Sequence, residues 1–333
     1  MGLEVHYKEP GVYVEPREGI EIARTAVDAG FEGVWTGDHF LPWLDTYDHT
    51  QHVLPWFGAL MAEIPDVPVG PSVTCPIIRY HPPILAQAIG TLDNMYPGRF
   101  QFGVGTGEAV NEAFFLDGPW PDWDTRVEML LEALDLMEGL WYDDAYRSHH
   151  GTHYDYVEVK LYTRPKTEVP VHWSGLGPRS CRIAGENGYH LLTLPPADAD
   201  PLPDHVVENY HAGLRDAGVD PADRHLTVQL SVNFGDPDAL VSTIRENDWY
   251  LPLDTEMDNP DPRSIRSVAA DRLATMSDAE LREIYHITED PGEIVDLFEA
   301  YEAAGVTRVI VEPVGADPAE TIATFEDAVL PKF

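Results

Sequence analysis

The stretch that decides the fold is Phe100-Gln101-Phe102-Gly103-Val104 followed by Gly105-Thr106-Gly107-Glu108-Ala109-Val110-Asn111-Glu112. A short apolar run leads directly into a glycine-rich turn with polar side chains, which is typical of a buried strand feeding a βα loop. The glycine spacing is not G-x-G-x-x-G, and no acid lies at the right distance on a second strand. The pattern therefore predicts a parallel βα unit but not a Rossmann dinucleotide site.

The same alternation of short β-rich runs and amphipathic helices continues on both sides of this stretch. Amphipathic helices are predicted at 17–29, 82–95 and 126–140. The predicted strands are 3–7, 33–36, 67–73, 100–104, 171–174, 190–194, 226–232 and 308–312. Eight strands, each followed by a helix, predict a closed (β/α)8 TIM barrel, with an open doubly wound sheet as the competing arrangement.

Two stretches interrupt the alternation. Residues 142–160 are predicted to form a loop and a short hairpin, and residues 247–277 form a long, partly helical insertion rich in Pro and Asp. Long insertions in barrels usually lie over the active-site mouth, so both are expected at the C-terminal face. No linker composition divides the chain, and residues 1–333 are predicted to form a single barrel domain.

The charge balance is strongly acidic. The chain has 58 Asp and Glu against 21 Lys and Arg, a formal net charge of -37, and only four lysines. The acids are spread along the chain, so a halophilic protein is favoured over an acidic tail that binds basic partners. The same charge disfavours nucleic acid and anionic membranes as partners. Without an export signal or an apolar run of about 20 residues, the chain is expected to be soluble and cytoplasmic.

No metal site is predicted. His149, His150 and His153 lie in a Gly- and Tyr-rich loop without a cysteine or a helical i,i+4 pair, and are interpreted as solvent-facing. Cys75 and Cys181 are too few for a disulfide framework and are expected to be small buried apolar groups.

Four unusual segments follow predicted strands, at the positions where barrels carry their reactive groups. They are 37–43, 74–76, 105–112 and 175–178. Taken singly, each also has a structural interpretation: Asp38-His39 fits a helix cap beside a surface histidine, Glu108 a solvated or capping carboxylate, and Trp43 packing. Convergence on one mouth is what favours a functional site.

Several of these residues together resemble a known family. They are Asp38-His39-Phe40 with Trp43, Cys75-Pro76 with Arg79-Tyr80, Tyr96-Pro97-Gly98-Arg99, and Gly105-Thr106-Gly107-Glu108-Ala109 with Asn111-Glu112. The set resembles the luciferase-like hydride transferases that use coenzyme F420, in the group of glucose-6-phosphate dehydrogenases and secondary alcohol dehydrogenases. The likeness covers most of the chain, and segments 161–165 and 169–178 resemble the alcohol dehydrogenases more.

The resemblance implies hydride transfer to or from the deazaflavin F420, with catalytic residues His39, Trp43 and Glu108. An imidazole titrates near neutrality, so His39 is predicted to remove the alcohol proton, while Trp43 donates its indole N–H to the developing alkoxide. Glu108 serves either the substrate oxygen or the cofactor's ring nitrogen. Asp38 either tunes His39 or contacts the cofactor.

The resemblance also implies the residues that hold F420. They are Asp38, Ser72, Val73, Thr74, Thr106, Gly107, Asn111, Gly175, Leu176, Gly177 and Pro178. In the family, the Ser72–Val73 peptide forms a bulge behind the deazaflavin ring. Where Pro178 opens a helix, backbone N–H groups suit the cofactor's phosphate, and Arg179 and Arg182 add charge. The alternative for these glycines is a tight βα turn only. The family also implies a homodimer.

The substrate is expected to be a small neutral secondary alcohol or carbonyl compound. The sugar-phosphate enzymes hold phosphate with bases after strand 6 and in the late insertion, but here 193–200 has no base and 254–259 is acidic. Only Arg263, Arg266 and Arg282 remain as phosphate ligands, if the insertion folds them inward. The first loop carries Val12 where relatives often have a carboxylate.

Three alternatives to an alcohol dehydrogenase stay open. The first is an F420-dependent enzyme with another substrate, either a sugar phosphate such as glucose-6-phosphate or a pterin-bound one-carbon unit. The second is a flavin-dependent monooxygenase, and the third is a non-catalytic deazaflavin-binding protein. A complete His39, Trp43 and Glu108 set disfavours the third.

Overall fold

A computed structural model describes residues 2–195, 202, 204–249 and 256–333. Its main sheet contains eight parallel strands: β1 (Glu4–Glu9), β2 (Val34–Thr36), β3 (Val69–Pro71), β4 (Phe102–Val104), β5 (Val171–Ser174), β6 (His190–Thr193), β7 (Leu226–Ser231) and β8 (Arg308–Glu312). The strand order is β3-β2-β1-β8-β7-β6-β5-β4. Bridges from Val69 to Phe100 and from Thr74 to Val104 join β3 to β4 and bring the ends of the sheet together. The predicted (β/α)8 barrel is confirmed, and the open sheet is wrong.

The helices surround this sheet. They are α1 (Pro16–Asp28), α2 (Val53–Glu63), α3 (Pro82–Met95), α4 (Ala109–Glu112), α5 (Trp123–Tyr142), α6 (Pro178–Glu186), α7 (Asp204–Ala217), α8 (Pro237–Glu246), α9 (Pro262–Leu273), α10 (Asp278–Ile284), α11 (Pro291–Ala303) and α12 (Pro318–Thr324). Four of these helices begin with a proline that follows an N-cap aspartate. The side chain of that aspartate accepts a hydrogen bond from a backbone N–H in the first turn; the four are Asp236, Asp261, Asp290 and Asp317. Part of the acidic surplus therefore caps helices.

Alternation along β1 divides its side chains between the two layers. His6 accepts a hydrogen bond from the Trp35 indole inside the barrel, whereas the Tyr7 ring meets Phe31 in the helical layer. Lys8, two residues after His6, again faces the interior, and Glu9 again faces outward. The β1 strand thus delivers a lysine to the interior at the mouth end of the barrel.

The hairpin predicted within 142–160 is present, with Arg147–His150 antiparallel to Asp155–Val159. The Glu132 carboxylate on α5 accepts hydrogen bonds from backbone N–H groups at the tip of the hairpin. The Tyr154 hydroxyl of the hairpin donates a hydrogen bond to the Ile77 carbonyl. Ile77 belongs to the loop after β3, so the hairpin packs along α5 and reaches a loop at the carboxyl ends of the strands. Its position over the mouth stays a prediction.

The later insertion packs on the mouth loops. The Met257 carbonyl accepts from the Ala109 N–H, and Ile265 and Ala269 of α9 form a cluster with Trp43 and Val110. Residues 250–255 of this insertion lie outside the described residues, as do 196–201 after β6. None of the described helices is both long and apolar enough to cross a membrane.

Candidate active site

A cavity of about 390 Å³ opens at the carboxyl ends of β2 to β5. Nine of the predicted site residues line it: Asp38, Val73, Thr106, Gly107, Glu108, Asn111, Leu176, Gly177 and Pro178. Five others lie outside its lining: His39, Trp43, Ser72, Thr74 and Gly175. The Ser72–Val73 peptide bond is cis, and the Val73 side chain faces the cavity. Loops distant in sequence therefore converge on one mouth.

Asp38 is buried at one side of this cavity, and both of its carboxylate oxygens accept hydrogen bonds. Its Oδ2 accepts from the Thr74 hydroxyl at 2.8 Å, and its Oδ1 accepts from the Tyr80 hydroxyl at 3.1 Å. Arg79 Nη2 lies 3.2 Å from Oδ1 and also donates to the Asp38 carbonyl. These bonds are directed to the loop after β3, and none of them joins Asp38 to His39, so the described contacts give Asp38 a scaffold role beside the cavity.

Arg79 ties two further loops together, although sequence reasoning gave it no role. Its backbone N–H donates to Glu112 Oε2 at 2.8 Å, and its Nε lies 3.3 Å from Glu112 Oε1. Burial raises the pKa of Glu112 to about 8, against the opposing charge of Arg79. Arg79 and Glu112 both belong to the segments that resemble the F420-dependent family, and nothing else in the sequence pointed to them.

Asn111 joins the loop after β2 to the loop after β4. Its Oδ1 accepts the backbone N–H groups of Phe40 at 2.8 Å and Leu41 at 3.3 Å. Its Nδ2 donates to Glu108 Oε2 at 3.0 Å and lies 2.9 Å from His39 Nδ1. The predicted pair His39 and Glu108 is therefore brought together through one buried amide.

The protonation of the two residues differs. Burial, then the positive charges of Lys8 and Arg79, lower the pKa of His39 to about 3. Burial raises the pKa of Glu108 to about 7, against the Asn111 hydrogen bond and the charge of Lys8. At neutral pH His39 is therefore a neutral imidazole, whereas Glu108 exchanges a proton readily.

Lys8 and Glu312 form an ion pair of 2.7 Å at the carboxyl ends of the neighbouring strands β1 and β8. The lysine side chain is only 11% exposed. Below it lies the apolar layer of Trp35, Leu192 and Ile310, so the pair forms part of the floor of the mouth. Sequence reasoning missed this residue, and the scarcity of lysine was the one available hint.

The opposite end of the cavity is suited to an anion. Helix α6 begins at Pro178, and its N-cap residue Gly177 provides no side-chain hydrogen bond to the first N–H groups. Arg126, on α5, also lines the cavity; it is 5% exposed, and its Nε has no hydrogen-bond partner. Arg179 lines the cavity as predicted, but it also pairs with Asp124 at 2.6 Å.

Arg182 does not join this anion-binding end, contrary to the expectation. Its guanidinium pairs with Glu186 at 2.7 Å and with Asp216, and it does not line the cavity. Arg182 lies about one helical turn beyond Arg179, further from the start of α6, and the carboxylates of Glu186 and Asp216 hold its guanidinium there. The buried Arg126 supplies positive charge in its place.

Trp43 is buried in the cluster formed by the mouth loops and α9, against Leu44, Val110 and Ile265. Nearby, the Tyr13 ring stacks on Trp249 at 5.5 Å between ring centroids. The indole N–H of Trp43 makes no hydrogen bond to a described residue. The walls on this side of the mouth are therefore aromatic and largely uncharged.

The three late arginines are all paired with carboxylates. Arg263 pairs with Asp261, Arg282 with Asp238, and Arg266 with both Asp248 and Asp45. None of the three lines the 390 Å³ cavity. Of the two segments compared with phosphate-binding regions, residues 196–200 and 254–255 lie outside the described residues.

Comparison with known proteins places the whole chain among its relatives. F420-dependent glucose-6-phosphate dehydrogenases are similar: that of Microbacterium testaceum is 30% identical over 99% of this chain and 97% of its own length, and that of Beutenbergia cavernae 31% over 99% and 97%. An F420-dependent secondary alcohol dehydrogenase, solved with an F420-acetone adduct, superimposes with a TM-score of 0.88 at 29% identity, covering 100% of this chain and 99% of that one. The family model for luciferase-like monooxygenases matches residues 3–308. The chain therefore belongs to the luciferase-like family.

Proposed function

We propose that this protein is an F420-dependent oxidoreductase that transfers a hydride between a small neutral secondary alcohol, or the corresponding carbonyl compound, and the deazaflavin. The observation that carries the proposal is the asymmetric mouth. One end has the start of α6 and buried Arg126, which pairs with Asp258 at 3.2 Å but whose Nε has no partner. The other end has His39, Glu108 and aromatic walls, and the late arginines lie outside the cavity lining. Full-length relatives with F420-dependent activity support the cofactor.

The residues present fit F420, an anionic cofactor with a phosphate. The orphaned Arg126 Nε and the uncapped N–H groups at Gly177–Pro178 match a phosphate, and the glycines after β4 leave room for a flat ring beside Val73. When bound, F420 supplies the ring carbon that exchanges the hydride. Asp38 and Asn111 would hold the ring side, and Pro178 and Arg179 the phosphate side.

The chain's own task is to orient the substrate oxygen and handle one proton. His39 and Glu108 are the polar groups assigned to that oxygen, since Glu108 lines the cavity and His39 contacts the lining residue Asn111. The Trp43 indole would donate to the developing alkoxide while its ring excludes water. The loops after β2 and β4 would thus supply the groups around one reacting atom.

A neutral substrate is favoured over a sugar phosphate. Each of the three late arginines, Arg263, Arg266 and Arg282, already pairs with at least one carboxylate. Binding a phosphate dianion with one of them would therefore break an existing ion pair. The net charge of -37 further opposes entry of a dianion. The similarity to glucose-6-phosphate dehydrogenases keeps that activity as the alternative.

The test is the absorbance of oxidised F420 in molar KCl with the protein and either propan-2-ol or glucose-6-phosphate. Bleaching with the alcohol alone is expected. Bleaching with glucose-6-phosphate alone would establish the alternative substrate, and turnover that needs FMN and oxygen would establish a monooxygenase.

The proposal extends to the protein's setting. The excess of acids, spread over the chain, suits a cytoplasm rich in salt, where the screening length falls to about 3 Å near 1 M. The family resemblance supports a homodimer, which light scattering in molar KCl tests directly.

A further inference from the structure

The orientation of the Asn111 side chain is fixed by its surroundings. The residue is 3% exposed, and its Oδ1 accepts two backbone N–H groups, from Phe40 and Leu41. Backbone N–H groups can only donate, so the atom facing them is the amide oxygen. The NH2 group must therefore face the other way, where Nδ2 meets Glu108 Oε2 at 3.0 Å and His39 Nδ1 at 2.9 Å.

This orientation decides where the proton of His39 lies. An amide NH2 can only donate, so His39 Nδ1 must accept, and the neutral ring then carries its hydrogen on Nε2. Protonation of Nδ1 would set two donors against each other at 2.9 Å. The imidazolium is therefore disfavoured for a reason of geometry, in addition to burial and the charges of Lys8 and Arg79, which outweigh a backbone contact with Leu41 that raises the pKa.

We propose that Asn111 is a positioning residue that fixes His39 as the Nε2–H tautomer, so that His39 donates a hydrogen bond to the substrate oxygen and Glu108 exchanges the proton. The inference rests on the proposed function and differs from the expectation that His39 is the base. A neutral histidine acting as a hydrogen-bond donor is a known catalytic arrangement. Glu108 is suited to the other role because it lines the cavity, whereas His39 lies outside the lining and contacts it through Asn111.

The oxidative step then balances. The alcohol O–H bond breaks and its proton passes to the Glu108 carboxylate, while the carbinol C–H bond breaks and its electron pair leaves with the hydride to F420. A carbonyl double bond forms, and the Nε2–H of His39 stabilises the partial negative charge on oxygen during the transfer. In the reductive direction, protonated Glu108 returns the proton.

The charged groups around Glu108 come from three other elements. Lys8 faces it from β1 and Arg79 from the loop after β3, and both favour its carboxylate form. Asp38, from the loop after β2, opposes that form, and the Asn111 amide supports it. Nothing in this set requires a charged His39.

Nitrogen NMR of protein labelled with ¹⁵N-histidine tests the tautomer directly, without cofactor or substrate. A His39→Gln spectrum identifies the His39 signals among the 14 histidines. The wild type is expected to show a proton on Nε2 and none on Nδ1 at neutral pH. Asn111→Asp replaces the NH2 donor with an acceptor, and we expect the proton to appear on Nδ1.

Asn233→Asp is the matched control, because Asn233 is also buried and also ties two loops, by accepting from Val314 and donating to the Tyr285 carbonyl. It should leave the His39 tautomer unchanged. A wild-type His39 protonated on Nδ1 would overturn the proposal, whether or not Asn111→Asp folds. So would an Nε2–H tautomer that persists in folded Asn111→Asp.

Kinetics separate the two roles if F420 turnover is found. Gln at position 39 retains an N–H donor but cannot take up a proton, so His39→Gln should keep at least about tenfold more activity than His39→Ala. Glu108→Gln should lose about 10²-fold or more. Equal losses in His39→Gln and His39→Ala would instead make His39 the base. The NMR result stands even if the alcohol assay fails, so the two failures are distinguishable.

Discussion

At the scale of single residues, the site depends on a few buried charges whose partners come from other loops. Taken alone, Glu108 fits a solvated or capping carboxylate, and the family resemblance implies a catalytic role for it. In the structure, burial raises its pKa to about 7, near that of a working acid or base. Lys8, at the end of β1, is the cation with the largest effect on the pKa of both Glu108 and His39. These two residues lead to two predictions.

The first concerns the pH dependence of catalysis. The pKa of Glu108 is raised to about 7, and alcohol oxidation needs the carboxylate. Oxidation should therefore increase as the pH rises through about 7, whereas carbonyl reduction, which needs the acid, should decrease over the same range. Steady-state kcat/KM measured against pH in both directions checks this. An unchanged transition near pH 7 in Glu108→Gln would assign it to another group.

The second concerns Lys8, whose positive charge lowers the pKa of Glu108. Lys8→Met should therefore raise that pKa and move the oxidative transition about one pH unit higher. Lys8→Arg keeps the charge and should move it little. Lys166→Met, on an exposed lysine hydrogen-bonded to the Asn94 carbonyl, serves as control. A Lys8→Met profile identical to that of Lys166→Met would contradict the prediction.

At the scale of elements, the sequence predicted most of the barrel. All eight strands and the helices at 82–95 and 126–140 were placed, because hydrophobic periodicity and glycine-rich turns are local signals. The predicted strand 67–73 shortens to Val69–Pro71, where the chain turns into the cis peptide at Ser72–Val73. The hairpin was also predicted. Its contacts with Glu132 and Ile77 were not, since periodicity does not encode where an insertion packs.

The parts of the site that sequence reasoning missed are long-range pairs. Arg79 with Glu112 and Lys8 with Glu312 join residues 33 and 304 positions apart in the chain. No spacing rule for a helix or a strand links such residues, so only the closed barrel brings them together. The predicted loops do converge on one cavity, but the hydrogen bonds between them could not be inferred from the sequence.

The third prediction concerns the contact between α6 and α7, which orients the helix that begins at the anion-binding end. A Cβ on Gly185 would lie 2.2 Å from the Tyr210 carbonyl oxygen, a backbone atom that cannot move aside. Gly185→Ala should lower the free energy of unfolding by about 1–3 kcal/mol, measured by urea titration. Gly118→Ala is the control, since nothing lies within 4 Å of its added Cβ. Equal midpoints for the two variants would show that the helices separate freely.

At the scale of the whole molecule, the two ends of the barrel differ in chemistry. The mouth carries the acid–base groups, whereas the opposite end holds a layer of histidines: His172 stacks on His190 at 4.5 Å, and His190 contacts His225 at 5.3 Å between ring centroids. Arg308 pairs with Glu4 beside them. Burial is the largest cause that lowers the pKa of all three histidines.

The fourth prediction follows from this layer. The pKa of His190 is lowered to about 3, so the folded state keeps it neutral while the unfolded chain binds a proton below about 6.5. Its contribution to stability is present above pH 6.5 and is lost as the pH falls toward 3. His190→Asn keeps an acceptor for the His225 N–H but cannot titrate, so stability should fall less steeply between pH 6.5 and 4. His150→Asn, at an exposed site, should keep the wild-type slope in urea titrations.

The fifth prediction concerns salt. With a net charge of -37, repulsion between carboxylates weakens the folded state until ions screen it. The melting temperature should therefore rise steadily as KCl is increased from about 0.1 M to 2 M, where the Debye length falls below about 3 Å. Calorimetry at several KCl concentrations measures it. A melting temperature independent of KCl would contradict a salt-adapted surface.

The proposed reaction is tested most directly by following the hydride itself. The protein is incubated in molar KCl with oxidised F420 and propan-2-ol carrying deuterium on the carbinol carbon, and the reduced cofactor is examined by mass spectrometry. One deuterium in the reduced F420, with acetone formed in equal amount, is the expected result. F420 that stays oxidised with the alcohol, or becomes reduced without deuterium, would contradict hydride transfer from a neutral alcohol.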